Sequence, residues 1–213
     1  MKRINLLVAI LFLSLGIFAQ ENLLKDGSFE ALNANDQLPR IAAFSDYGKL
    51  SQTQNPSIEA VSVENGVWFR KSLNSGYLKA TVIDTDAQDG NQSILLSVNA
   101  NSPQQKLDNW YTNTLVQFVS LKKKEYTIKF YAKTVNKSDK IFVGIANVKG
   151  SSQSGSKWVD ITSDWAEYSV TIKVGSDMKD ASVVLGLETL YGENGKTLAG
   201  SVAIDNVQLY ESK

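Results

Sequence analysis

The sequence predicts an all-β domain, a sandwich or jelly roll of short strands, and three observations carry that prediction. Apolar and polar residues alternate with a period of two almost everywhere, turn signals punctuate the chain, and no segment sustains the 3.6-residue period of a helix. Many short strands separated by such turns are the pattern of two packed sheets.

The first nineteen residues stand apart from that pattern. Lys2 and Arg3 form a basic start, Leu6 to Phe18 is an apolar run broken only by Ser14 and Gly16, and Ala19 offers a small residue for cleavage. The run is too short to cross a bilayer, so residues 1–19 read as a secretory signal peptide. No cysteine follows the run, which excludes lipid attachment at a lipobox. Residues 20–213, about 190 of them, are enough for one sizeable domain. The expected destination is secreted, periplasmic or cell-surface, with no membrane span once the leader is removed.

Taken in order, strands are expected over Val67 to Lys71, Tyr77 to Ile83, Ser93 to Val98 and Asn113 to Val119. The plainest follows, where Tyr126, Ile128, Phe130 and Ala132 alternate with Thr127, Lys129, Tyr131 and Lys133, as a strand with one buried face should. Ile141, Val143 and Ile145 repeat the pattern, then Tyr168, Val170, Ile172 and Val174, then Val183, Leu185 and Leu187. Val202, Ile204, Val207 and Leu209 close the chain. Turns are expected at Asp89-Gly90-Asn91, Asn136-Lys137-Ser138, Gly150 to Gly155 and Gly192 to Gly195. The polar stretch Ser45 to Ser57 reads as an irregular insertion.

Composition narrows the chemistry. There are 22 basic and 22 acidic residues, and without Lys2 and Arg3 the remainder is slightly acidic. The longest basic tract is Lys122-Lys123-Lys124, so no phosphate-tracking surface is expected and nucleic acid is not an expected partner. Cysteine is absent, so an exported domain must be held by its core, with or without a metal. Histidine is absent too. That removes Ser-His-Asp and Cys-His catalysis and imidazole metal sites, and leaves a carboxylate pair as the main hydrolytic machinery to consider.

Two segments bracket the domain: Asn22-Leu23-Leu24-Lys25-Asp26-Gly27-Ser28-Phe29-Glu30 and Ala203-Ile204-Asp205-Asn206-Val207-Gln208-Leu209. They resemble the opening NLL-x-x-G-x-FE and closing IDNV-x-L of the carbohydrate-binding modules of families 4 and 9, of galactose-binding-domain-like type. The resemblance implies a jelly-roll β-sandwich of two antiparallel sheets whose first and last strands lie close together. It also implies a secreted, non-catalytic module that holds a polysaccharide or oligosaccharide on a concave face. The alternating pattern ends at Leu209, near the C-terminus, which reads as a stand-alone module rather than one tethered to a catalytic domain.

The same resemblance implies a structural calcium held by carboxylates from both ends of the chain. Glu30 and Asp205 match the carboxylate positions, and the turn at Asp89 matches the glycine turn that adds further oxygens. Such an ion wants about six to eight oxygen ligands. Without a cation, the same acids would be satisfied by turn amides and solvent. An EF-hand reading of Asp84, Asp86 and Asp89 fails, because the carboxylates fall out of step and Leu95 stands where the closing glutamate belongs.

A sugar-binding groove needs flat aromatics beside amide and carboxylate hydrogen-bonders. The stretch from Asp108 to Gln117 supplies both, and it resembles the W-x-x-x-L-x-Q strand that lines the family's concave face. The resemblance therefore nominates Trp110, Tyr111, Asn113 and Gln117, with Trp68 and Tyr191 as candidates for the rim of the same cleft. Alternation puts Tyr111, Asn113, Leu115 and Gln117 on one face and Trp110, Thr112, Thr114 and Val116 on the other. Trp110 and Gln117 thus cannot both face a ligand unless a bulge intervenes. Trp165 and Tyr168 match a segment the family uses for packing, and Trp158 is expected near a loop edge.

Glycoside hydrolysis would need two acids across a cleft. Glu64, Asp108, Glu167 and Glu188 are available, but no spacing pairs any two of them, so no enzyme is expected. The alternative to sugar binding is a structural or interaction sandwich of the envelope or extracellular space, with envelope proteins as partners.

Overall fold

Alternating apolar residues become strands throughout the computed structural model, which describes residues 20–41, 67–72, 78–98, 113–147, 153–187 and 200–212. These residues form strands, turns and bends and no helix. The strands are β1 (Arg40–Ile41), β2 (Trp68–Ser72), β3 (Leu78–Ile83), β4 (Ser93–Val98), β5 (Asn113–Leu121) and β6 (Glu125–Asn136). They continue as β7 (Lys140–Asn147), β8 (Gln153–Asp160), β9 (Ala166–Lys173), β10 (Met178–Leu187) and β11 (Gly200–Glu211).

They assemble into two sheets. Sheet A has five strands in the order β3-β4-β11-β6-β9, and sheet B has six in the order β1-β2-β5-β10-β7-β8. All pairings are antiparallel except the short β1, which lies parallel to β2. Beyond the hairpins β3–β4 and β7–β8, the chain from β2 onward steps from one sheet to the other at every connection. That zigzag packs sequence-adjacent strands face to face, which is the jelly-roll habit.

Two expectations change. The glycine turn expected to run through Gly155 is instead strand from Gln153, where β8 is the last strand of sheet B among the described residues. The bridge between β1 and β2 had no sequence signal, being two residues long. The segment Ser45 to Ser57 and the turn Gly192 to Gly195 lie outside the described residues.

The core fills the space between the sheets. Sheet A contributes Leu78, Val82, Ile94, Leu96, Ile128, Phe130, Ile172, Ile204 and Leu209, and sheet B contributes Trp68, Leu115, Ile141, Val143, Ile145, Val183 and Leu185. Fully burying each large side chain contributes about 1.5–3 kcal/mol. The sheets differ in their other faces. Along β6 the pattern alternates, with Lys129 and Tyr131 partly exposed between buried neighbours. Along β10, by contrast, every residue from Ala181 to Leu187 is buried.

The N-terminal segment straps the sandwich shut. β4 accompanies β11 only from Gly200 to Ile204, and past that point residues 22–27 take the place β4 leaves. Leu23 N–H donates to the Leu209 carbonyl (2.9 Å), Val207 N–H to the Gly27 carbonyl (2.8 Å), and Leu209 N–H to Asn22 Oδ1 (2.9 Å). The strap continues into the core, where Phe29 lies against Trp68 with ring centroids 5.4 Å apart. The two ends of the chain are therefore neighbours, as their motifs imply.

Candidate functional site

Pairing register defines the face of sheet B turned away from sheet A. One row across it is Thr114, Gly186, Phe142 and Trp158; the next is Phe69, Val116, Val184, Gly144 and Ser156; a third holds Phe118, Ser182 and Ala146. Phe69, Val116, Phe118, Phe142, Ala146 and Val184 are buried, although none of them belongs to the inter-sheet core. Phe69 meets Phe118 edge-on at 5.9 Å, and Phe142 meets Trp158 edge-on at 5.4 Å.

Register also sets Lys71 of β2 beside Thr114 at one end of the first row, and Lys140 and Asp160 pair at the margin, 3.9 Å apart. Polar groups on this floor are few. Ser182 Oγ lies at the limit of hydrogen-bond distance from the Ala146 carbonyl, 3.5 Å. The Thr114 hydroxyl is buried without a hydrogen-bond partner. An unpaired buried hydroxyl costs about 1–3 kcal/mol, so a group that would pair with it is stabilised there. Trp158, half exposed at 50 %, brings an aromatic ring from this floor to solvent.

The nominated sugar contacts divide sharply. Gln117 is 1 % exposed and points between the sheets, opposite Trp68 and Val183. Its Oε1 accepts from Lys25 N–H (2.9 Å) and its Nε2 donates to the Lys25 carbonyl (2.8 Å). The side-chain amide thus does what a neighbouring strand would do for the strap, and both its polar atoms are used. Trp68 is 1 % exposed, and its Nε1 donates to the Asp26 carbonyl at 2.9 Å. Neither reaches solvent, so both are corrected to packing residues. Of Asn113 only the backbone, paired with Ser72, is described. Trp110, Tyr111 and Tyr191 lie outside the described residues.

The strand ends that adjoin these positions in sequence are neighbours in sheet B. β5 begins at Asn113, β10 ends at Leu187, and the register sets Thr114 beside Gly186 and, across β7, in the row of Trp158. Trp110 and Tyr111 shortly precede that point in sequence, and Tyr191 shortly follows Leu187.

The nominated calcium residues converge on the turn between β3 and β4. Asp205 is fully buried; its Oδ2 accepts from Gln88 N–H (2.8 Å) and Asp89 N–H (2.9 Å), and its Oδ1 from Asn206 N–H (2.6 Å). Burial pushes its carboxyl above the ordinary range, the three amides pull it back, and the Asp89 charge adds to the upward push. Glu30 Oε1 accepts from Asn91 N–H (2.8 Å) and Gln92 N–H (2.7 Å), which hold its carboxyl below the usual range. Asp89 accepts from the Asn206 side chain at 3.3 Å. Asp26 stands near, its own carboxyl raised by burial, with the Ala31 amide opposing and the Glu30 charge assisting.

Other aromatics take other roles. Trp165 is not a core residue: it is half-buried on the outer side of sheet A, its Nε1 donating to Asp86 Oδ1 (2.9 Å) with Lys133 Nζ 5.4 Å from its ring centroid. Tyr168 stacks on Phe130 at 5.7 Å, in keeping with a packing role. Among the acids weighed for catalysis, Glu167 pairs with Lys129 at 3.0 Å, and Glu64, Asp108 and Glu188 lie outside the described residues. Thr114, Phe142 and Phe118 were missed by the sequence reading. The signal for Phe142 was the continuous apolar run Ile141 to Ala146, which marks a strand buried on both faces rather than one.

No protein-family model matches this sequence, and no curated protein matches it. Solved structures do. A candidate sugar-binding protein from Bacteroides thetaiotaomicron is 17 % identical with a TM-score of 0.57, the match covering 90 % of this chain and 100 % of that one. A family 4 carbohydrate-binding module is 19 % identical with a TM-score of 0.53, over 89 % and 99 %. The enzymatically active domain of tailspike protein 4 from bacteriophage CBA120 is 12 % identical with a TM-score of 0.50, over 90 % of this chain but 21 % of that one. What this chain shares with all three, at these identities, is the fold: a jelly-roll β-sandwich.

Proposed function

We propose that this protein is a non-catalytic carbohydrate-binding module that holds an oligosaccharide or polysaccharide at the outer face of sheet B. The observation that carries the reading is Trp158, whose half-exposed ring leans on the buried Phe142 and brings this face of sheet B to solvent. Aromatic rings receive the C–H faces of sugars, and a few placed polar groups orient them. The gathering of strand ends supports adding Trp110, Tyr111, Asn113 and Tyr191 to the same site. Alternation groups Trp110 with Thr114, so Trp110 is the better candidate of the β5 pair for stacking. The fold shared with a family 4 carbohydrate-binding module is consistent with this use. The leader-like residues 1–19 support export, and no helix among the described residues is long and apolar enough to cross a membrane.

The test is binding of the purified protein to a broad glycan array, alongside Trp158→Ala and Trp110→Ala. The expected result is a defined group of glycans whose affinity falls about tenfold on Trp158→Ala, the worth of one aromatic contact, in a variant that stays folded with its midpoint lowered by roughly 1–6 °C for the lost Phe142 contact. A folded protein that binds no glycan would refute the reading and favour a partner of the envelope-protein class. Hydrolysis of a bound glycan would instead refute the non-catalytic part alone.

A further inference from the structure

We infer that the carboxylates carried by the two end motifs, Glu30 and Asp205, close this sandwich as amide clamps and that its closure needs no calcium. The two acids grip successive parts of one turn. Asp205 takes the N–H groups of Gln88 and Asp89, and Glu30 takes those of Asn91 and Gln92. Between them sits Gly90, in the left-handed region at φ +67°, where a side chain would collide with the Glu30 carboxylate. The turn is therefore wound around the two acids, with the amides of Gln88, Asp89, Asn91 and Gln92 aimed at their carboxylate oxygens.

A calcium ion would need those oxygens for itself. An N–H and a cation compete for the same lone pairs, and an N–H bond places its positive end where the cation would sit. Both oxygens of Asp205 already accept amides, Asn206 N–H taking Oδ1. The oxygens left over are few: Glu30 Oε2 takes neither of the two turn amides, the Gln92 side-chain oxygen is buried without a partner, and Asp89 has one donor on its carboxylate. These fall short of the about six to eight that calcium takes. Among the described residues no group of three or more acids stands close enough to hold a metal. The donor set present fits amides and does not fit calcium.

The clamp also ties the strap in place. Asn206 has left-handed backbone at φ 46°, and directly beyond it Val207 N–H reaches Gly27. Glu30 and Asp205 thus hold one turn to both ends of the chain at once, which is the work a structural ion would do. Charge-assisted hydrogen bonds of this kind are about twice as strong as neutral ones.

The deciding experiment is thermal unfolding of the purified protein in millimolar calcium chloride and in excess EDTA, with calorimetric titration of calcium into the EDTA-stripped, dialysed protein. The expected result is the same midpoint in both, within about 1 °C, and no heat of saturable binding. A tightly bound ion would separate the midpoints by roughly 8 °C or more for a domain of this size, and that separation, or a one-to-one binding isotherm, overturns the inference. Variants give an independent reading. Asp205→Ala and Glu30→Ala strip the amides of their acceptor, and Asp205→Ala lowers the midpoint by roughly 5 °C or more. Glu30→Gln keeps an acceptor oxygen and loses only the charge assistance, so its midpoint falls less than that of Glu30→Ala. Should Glu30→Gln fall as far as Glu30→Ala, and both lose a response to calcium that the wild type shows, the carboxylates are metal ligands. If Asp205→Ala does not fold, the wild-type comparison still decides.

Discussion

Gln117 shows how one side chain can be read in two opposite ways. In sequence it stands in an aromatic, amide-rich strand that suits a sugar cleft; in the fold it is spent on the backbone of Lys25. Alternation already held part of the answer, since it set Gln117 with Leu115 and against Val116. What it lacked was the partner, because Lys25 lies 92 residues away and no local pattern reports such a contact. Gln117→Leu would leave the Lys25 N–H and C=O unpaired at a cost of about 2 kcal/mol. Unfolding midpoints should fall by roughly 4–8 °C, while glycan affinity of the folded variant stays at the wild-type level. An unchanged midpoint with lost binding would return Gln117 to the ligand face.

At the scale of elements, legibility followed burial. β6 and β9 each have one wet face, so their alternation was plain, and the limits of β4 were read without error. β7 and β10 were recognised as strands, but only their inward residues were used, and Phe142, Ala146 and Val184 between them pointed to a second buried face. β8 was missed because its sequence, Gln153-Ser154-Gly155-Ser156, has no apolar rhythm; as the last strand of sheet B among the described residues it packs little and is held chiefly by pairing with β7. The strap was foreseen only through its motif, for residues 22–30 have no strand period. Its tolerance is narrow: a methyl group on Gly27 would overlap the Val207 carbonyl oxygen. Gly27→Ala should therefore break the pairing of the strap with β11 and destabilise the protein by about 2 kcal/mol or more, measurable by denaturant titration. A stability within about 0.5 kcal/mol of wild type would show that the strap is not held as described.

For the molecule as a whole, the residues that close the sandwich and the face proposed for recognition lie on separate sides. The end motifs, the carboxylate-bound turn and Gln117 join the two sheets near the strap, whereas the aromatic row and the unpaired Thr114 hydroxyl face outward from sheet B. The resemblance in the end motifs thus reports on how the sandwich shuts, which is why it specified the fold so well and the ligand so little. Structures of this fold include both a carbohydrate-binding module and part of a phage tailspike enzyme, so the site must decide function. The aromatic row makes a direct claim: substitution at Trp158 changes binding far more than the loss of its contact with Phe142 changes stability. Glycan affinity and melting temperature of Trp158→Ala, measured on one preparation beside the wild type, test it most directly. The account predicts a loss of about tenfold in affinity in a variant that stays folded at the assay temperature, its midpoint lowered by roughly 1–6 °C. Wild-type affinity in the variant would remove the outer face of sheet B as the binding surface.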